Sequence, residues 1–330
     1  MISVNNLRAD ALNQYAMPFT YRYANNALSF TEHYSSSNDV QGIFGLFYGL
    51  PTSYLSSVAN QDERSILLST MAENEYQFGL FSGDNFDDDL YEQVVFKDMP
   101  IINVENDEQI AQAWGEWAAE QTDEPWFSFI ELMTVEQFNP VAEYKGSTRD
   151  ILRQGYAESV RQADEQLRQL FEQLALLEDK DETVVVITSN HGIEFNETET
   201  NSWGAGSNYS KYQLSVPLVI KWPGKLSAQY DHPTSHLDIS VTLMEELLGA
   251  SSNPSDYSSG RNLFNERKRN WVIAGNNSEL ALLTKRNTTV VDRFGNFKIY
   301  DEQYRRLKDA SPTLPVLMQG LTELQRFYND

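Results

Sequence analysis

The sequence predicts an α/β fold built on a mostly parallel central sheet flanked by helices, with a small antiparallel sheet and a helix at its C-terminal end. Three observations carry this prediction. Thr183-Val184-Val185-Val186-Ile187 is an unbroken β-favouring run that stops at Thr188-Ser189-Asn190-His191-Gly192, as a strand buried on both faces of a parallel sheet does. Helical patterns alternate with such strands over the first 250 residues, which suits right-handed crossovers. Beyond about residue 260 the apolar period shifts towards two, the period of antiparallel strands. The expected division is a large α/β domain over 1–260 and a β-rich C-terminal subdomain over 261–330 packed on it.

In chain order, Ile2 to Val4 is a short strand that opens into the polar Asn5-Asn6-Leu7-Arg8-Ala9-Asp10. Pro18 suits the first turn of a helix reaching about Asn26. Leu28 to Tyr34 alternates and reads as a strand. The capping residues Ser35-Ser36-Ser37-Asn38-Asp39 precede the apolar run Gly42 to Gly49, a helix start with free N–H groups for an anion. Further helices are expected over Asp62 to Asn74, Asn106 to Gln121 and Thr148 to Leu177, with strands over Gln77 to Phe81 and Trp126 to Ile130. The acidic Asp87-Asp88-Asp89 lacks the spacing of a calcium loop and reads as a turn and helix cap. Glu194 to Ser210 is polar and reads as a mobile loop at the crevice rim. Val216 to Lys221 is a strand and His236 to Leu248 a helix. Short strands at 271–274, 280–285, 288–292 and 297–300, and a helix from 314 to 327, complete the chain.

Composition narrows the function. The 330 residues carry 48 acidic and 25 basic side chains, a net charge of −23 that repels phosphate backbones and makes nucleic acid an unsuitable partner. The absence of cysteine excludes disulfides, thiolate metal sites and cysteine nucleophiles. No apolar run approaches the roughly 18–20 residues of a membrane span. The opening Met1-Ile2-Ser3-Val4 suits an excised piece of a longer protein and a natural N-terminus equally. Strand carboxyl ends line the crevice of an open α/β sheet, so Asn190 and His191 stand where ligands bind.

Read together, Asn5 to Asp10, Asn38-Asp39 with Phe47-Tyr48-Gly49, Thr188 to Gly192, Val216 to Gly224 and Ser235 to Leu243 resemble the sulfatase-like branch of the alkaline phosphatase superfamily, over essentially the whole chain. Gly42 to Tyr48 and Gly295 to Phe327 most resemble the periplasmic domain of inner-membrane proteins of the YejM/PbgA type. That resemblance implies a soluble portion at the periplasmic face of the bacterial inner membrane, held there through a segment absent from this chain. It also implies a role in lipopolysaccharide and outer-membrane lipid homeostasis, with lipid, lipopolysaccharide or inner-membrane proteins as partners.

Active members of the superfamily hold divalent cations through aspartates at the ends of the first strand and of the strand before His-Gly. They attack with a hydroxyl or modified cysteine at the cap of the helix after the second strand. The resemblance places the metal positions at Asn5, Asp39, Asn190 and His191, and the catalytic positions at Asn38, Asp39 and His191. Asn5 and Asn190 each stand where an aspartate is usual, and a hard cation depends on that charge. No hydroxyl falls at Asp39, although Ser35, Ser36 and Ser37 lie within a few residues. Glu131-Leu132-Met133-Thr134 follows its strand without the histidine that relatives use. Asp39 remains open as a carboxylate nucleophile, a metal ligand or a helix cap, and His191 as a ligand or a hydrogen-bonded structural group. The expectation is a non-catalytic sensing or lipid- or partner-binding module with a degenerate metal site and no cofactor. The alternative is a phosphate or sulfate ester hydrolase, or phospho-group transferase, using Mg, Mn, Ca or Zn at an altered site.

Overall fold

The structure, a computed structural model, describes residues 1–121, 124–138, 146–265 and 269–327. Among these, seven strands form the central sheet in the order Ala228–Tyr230, Leu28–Phe30, Val219–Lys221, Val185–Thr188, Ile2–Val4, Trp126–Leu132 and Gln77–Ser82. Ile2–Val4 lies in the middle, parallel to both neighbours. Val219–Lys221 alone runs against both of its neighbours. A parallel strand needs a crossover, usually a helix of a dozen or more residues. The connection from Thr188 to Val219 has only the four-residue helix Lys211–Leu214, and the strand comes back reversed.

The strands are apolar on both faces because both faces are covered. Side chains alternate across a strand, so Phe129 joins Phe44, Phe47 and Leu67 on one face. Its neighbour Ile130 joins Ile110, Trp114 and Leu167 on the other. The first face is covered by helices Gly42–Tyr48, Ile66–Glu73 and His236–Thr242, the second by Asp107–Ala119 and Thr148–Leu174. Ser147 and Asp150 form a reciprocal capping box that fixes where the 27-residue helix Thr148–Leu174 begins.

Strands Trp271–Gly275, Glu279–Thr284, Thr288–Asp292 and Phe297–Tyr300 form a separate antiparallel meander. One face sends Val272, Ala274, Ala281 and Val290 against Tyr209 and Leu214. The other sends Ile273, Leu280 and Leu282 against Val316, Leu317 and Leu324 of helix Leu314–Gln325. Gly320 lets that helix sit close, since a Cβ there would lie 2.5 Å from Leu282 Cδ2.

Several expected elements differ. The helix expected over Asp62 to Asn74 is two helices, Leu55–Gln61 and Ile66–Glu73, because Asp62 takes a left-handed conformation (φ 58°) and Ser65 caps the second through Leu68 N–H. Leu28 to Tyr34 splits into Leu28–Phe30, in the central sheet, and His33–Tyr34, which pairs with Thr234–Ser235. The rim segment after Glu194 is tied down rather than loose. Glu194–Phe195 pairs with Trp203–Gly204, and the buried Glu194 carboxylate accepts hydrogen bonds from Thr198, Asn208, Ser210 and Gln213. A carboxylate holding that many donors anchors its loop.

Candidate functional site

Four parallel strands deliver their carboxyl ends to one crevice. Ile2–Val4 ends at Asn5-Asn6, both buried, with Asn6 in the left-handed region (φ 63°) that asparagine tolerates. Val185–Thr188 ends at Asn190-His191, also buried. The Asn190 Oδ1 accepts from the N–H of His191 at 2.8 Å and of Asn6 at 3.4 Å, which ties the two strand ends together. Ser35 Oγ donates to the Asn190 carbonyl at 2.5 Å. Gly42 packs on that same carbonyl, where a Cβ would approach it to 2.2 Å.

Beneath the asparagines lies a second layer that sequence inspection did not single out. Asn5 Nδ2 donates to the Glu136 carboxylate. Asn190 Nδ2 makes a longer 3.5 Å contact with Glu131 Oε1, the oxygen to which Tyr91 OH donates at 2.7 Å. Burial pushes the Glu131 carboxyl up to about 8, with Asp84, Glu136 and Asp107 reinforcing the shift and the Tyr91 bond opposing it. Glu136, at the surface, is raised in the same direction, chiefly by partial desolvation. The signal was present, since Glu131 closes the otherwise apolar strand Trp126–Leu132 and a buried acid there needs partners. Those partners lie tens of residues away in sequence.

The segment from Ser35 to Asp39 reaches the crevice but does not cap the helix behind it. Asp39 Oδ1 accepts from Ser37 Oγ at 2.9 Å and from Gln41 N–H at 3.0 Å, an Asx-type turn. Asn38 Nδ2 donates to the Asn208 carbonyl at 2.8 Å. The helix cap is Gln41, without a side-chain bond, because a tight turn at Asp39 to Gly42 precedes the first helical residue. The helix N-terminus abuts Asn190, so the anion-binding opening expected there is closed.

Three of the four histidines gather behind this turn. His191 Nδ1 bonds the Gly192 carbonyl at 2.8 Å, and burial lowers its pKa while that bond and Asp39 oppose the shift. His236 Nδ1 bonds the Gly42 carbonyl at 3.1 Å, and burial holds its pKa down to about 4. His33, which sequence inspection passed over, bonds Thr234 Oγ1 at 3.0 Å with its ring 5.3 Å from that of His236. Burial keeps it well below its usual pKa.

These groups do not fit a divalent cation. Among the described residues no three histidines, cysteines, aspartates or glutamates converge as ligands. The Asn190 oxygen is engaged by two backbone N–H groups, and Asp39 Oδ1 by Ser37 and Gln41. The buried oxygens left without a partner here, Asn5, Asn6 and Asn38 Oδ1, are all neutral amides, and the unpartnered ring nitrogens of His33 and His236 belong to neutral imidazoles. Neutral amide oxygens do not replace the carboxylate charge that hard cations require.

Comparison with known proteins places this geometry in a family. A sulfatase family model matches residues 3–250. The chain is 35% identical over 318 residues to inner membrane protein YejM of Salmonella typhimurium, covering 94% of this chain and 52% of that protein. It is 30% identical to an uncharacterized protein of Haemophilus influenzae, covering 99% and 54% respectively. The chain thus spans about half the length of these curated relatives. Phosphonate monoester hydrolase of Agrobacterium radiobacter superposes with a TM-score of 0.72 at 15% identity, covering 98% of this chain and 94% of that one. The lipoteichoic acid synthase LtaP of Listeria monocytogenes superposes with a TM-score of 0.71 at 15% identity, covering 98% and 89%. The chain belongs to the sulfatase family and has the fold of the alkaline phosphatase superfamily.

Proposed function

We propose that this domain is a non-catalytic sulfatase-fold module of an inner-membrane protein, working at the periplasmic face in lipopolysaccharide and outer-membrane lipid homeostasis by binding lipid, lipopolysaccharide or a protein partner. The relatives that span it are inner membrane proteins, and among the described residues no helix is long and apolar enough to cross a membrane. One observation carries the non-catalytic reading. At both strand ends where the family places an aspartate, an asparagine turns its N–H towards a glutamate behind it, Asn5 to Glu136 and Asn190 to Glu131. An N–H donor repels a cation.

Titration calorimetry with Mn²⁺, Mg²⁺ and Zn²⁺, alongside assays of aryl phosphate and aryl sulfate hydrolysis, tests the reading. The expected result is no stoichiometric binding and no turnover. Binding at one ion per chain with turnover that is lost in His191→Ala would establish the metal-dependent hydrolase or transferase instead.

A further inference from the structure

A polar cleft distinct from the crevice opens on the face of the sheet that the two long helices cover. Strand Gln77–Ser82 ends at Gly83, strand Trp126–Leu132 runs on to Thr134, and a cleft of about 710 Å³ lies between these ends and the helices Asp107–Ala119 and Thr148–Leu174. Asp107 lines it and is only 8% exposed. Its Oδ2 accepts from the Thr134 N–H at 2.6 Å and from Thr134 Oγ1 at 2.7 Å. Its Oδ1, which a Cβ at Gly83 would meet at 2.0 Å, has no partner. A carboxylate oxygen only accepts, so the one Thr134 hydroxyl proton is committed to Asp107, and Oγ1 is left to accept from Gln166. Gln166 accordingly turns its Nε2 to Thr134 at 2.8 Å, which leaves Gln166 Oε1 buried and without a partner as well. The linked bonds from Asp107 through Thr134 to Gln166 thus hold two acceptor oxygens on one cleft with a donor for neither. Burial raises the Asp107 pKa and Asp84 adds to the shift, while hydrogen bonds from Thr134 and Met133 oppose it. The N-terminus of helix Asp107–Ala119 offsets part of the charge, but a buried aspartate is seldom left without a cation beside it.

We propose that this cleft binds the ammonium group of a small primary amine, its nitrogen shared between Asp107 Oδ1 and Gln166 Oε1. The count of donors selects this chemistry. An ammonium carries three N–H groups and no acceptor, so one nitrogen serves both oxygens, whereas a hydroxyl has a single proton and satisfies one. Its charge also makes the bond to Asp107 the stronger, charge-assisted kind. A divalent cation is disfavoured, because one carboxylate and one amide fall well short of the oxygen shell that hard cations take, and among the described residues no three metal-ligating side chains converge. An anion is disfavoured too: Arg161 shares the cleft with Asp107, Glu108 and Glu165, of which Glu165 is paired with Arg168. The exposed Glu108 suits a second ammonium on the same ligand. Both oxygens are shielded from bulk water, so the amine enters past the exposed Gln137 and Gln162, long side chains that move aside at little cost.

Neither oxygen belongs to the crevice, so the proposal stands or falls independently of the reading above. The test is titration calorimetry of the whole chain with 1,4-diaminobutane at about pH 7, where both amines are protonated. The matched probes are 1,4-butanediol, which lacks the charge, and tetramethylammonium, which lacks the N–H donors. Binding of the diamine alone is expected. Asp107→Asn sets an N–H where Oδ1 stood and should weaken it by about tenfold or more. Gln166→Leu should weaken it less, Arg161→Ala should tighten it, and rising salt should weaken it throughout. Circular dichroism of each variant checks the fold. Asn still offers Thr134 an acceptor, and should Asp107→Asn nevertheless fail to fold, Gln166→Leu at a half-buried position carries the test. Absence of heat with the diamine would overturn the proposal, as would equal binding of the diol or of tetramethylammonium. Diamine binding unchanged in Gln166→Leu and in a folded Asp107→Asn would place the amine elsewhere and overturn it as well.

Discussion

The crevice of the central sheet and the outer face of the C-terminal helix are opposites in how they treat polar and apolar groups. The crevice buries asparagines, histidines and the Glu131 carboxylate and ties each of them into hydrogen bonds with backbone or neighbouring side chains. The helix face leaves leucine and methionine in water with nothing over them. Buried hydrogen-bonded polar groups are costly to alter, whereas uncovered apolar side chains cost little to alter. The two regions thus differ in what a substitution would disturb: buried polar contacts in one, uncovered apolar surface in the other.

The sharpest way to break that contrast is Asn190→Asp, which restores the family carboxylate. At pH 9, where Glu131 is ionised, it sets two buried carboxylates against each other and is expected to cost about 3–5 kcal/mol in urea unfolding. At pH 6 the Glu131 proton bridges the pair and the cost falls. Adding Glu131→Gln should recover most of the loss at pH 9. An Asn190→Asp chain as stable as the parent, with a cation bound, would mean the crevice is still a metal site.

Acid sharpens the comparison next. His33 and His236 have pKa values lowered by burial, so both are neutral when folded and take up protons on unfolding. Their contribution is complete above the unfolded value near 6.5 and is lost as pH falls below it, for His236 down to about 4, at about 1.4 kcal/mol per pH unit. Glu131 has a raised pKa and acts in the other sense: its contribution is present below the unfolded value near 4.5 and is lost as pH rises through about 8. Between about pH 4.5 and 6.5 Glu131 opposes the histidines, so denaturant midpoints should peak near pH 6.5, falling towards acid through the histidines and up to about pH 8 through Glu131. Glu131→Gln should remove the decline between about pH 6.5 and 8 and steepen the acid limb, where Glu131 no longer opposes the histidines.

The smallest effect compares one substitution in both regions. A Cβ at Gly42 meets the Asn190 backbone carbonyl at 2.2 Å, which has no room to retreat. Gly42→Ala is expected to cost about 1–3 kcal/mol through overpacking. A Cβ at Gly320 meets side-chain atoms of Leu282 rather than backbone, and alanine restores up to about 1 kcal/mol of helix propensity against that crowding. Gly320→Ala should stay within about 1 kcal/mol of the parent by thermal unfolding. Equal costs at the two sites would show that the crevice is no more tightly built than the C-terminal helix.

Much of the fold was legible because it rests on local pattern. The doubly buried strand Val185–Thr188, the capped helix from Thr148 and the period-two meander after residue 270 each show in a short window. Asn5, Asn38, Asp39, Asn190 and His191 stand out through the order of motifs, and the fold gathers them at the strand ends. The groups that hold those residues were not. Glu131, Glu136, Tyr91 and His33 act through contacts with residues 40 to more than 200 positions away, and no local window contains such a pair. Val219–Lys221 fitted the strand pattern, but its direction depended on the length and content of the connection before it.

The central position of Ile2–Val4 bears on the order of folding. Its partners are Ile130 on one side and Ile187 on the other, so the first strand made is among the last to be completed. Until residue 188 has left the ribosome, the middle of the sheet has an open apolar edge. Such long-range parallel pairing is slow and exposes surface prone to aggregation. A pause in synthesis or a truncation between Leu132 and Thr188 would leave that edge bare, and would be met first by chaperones.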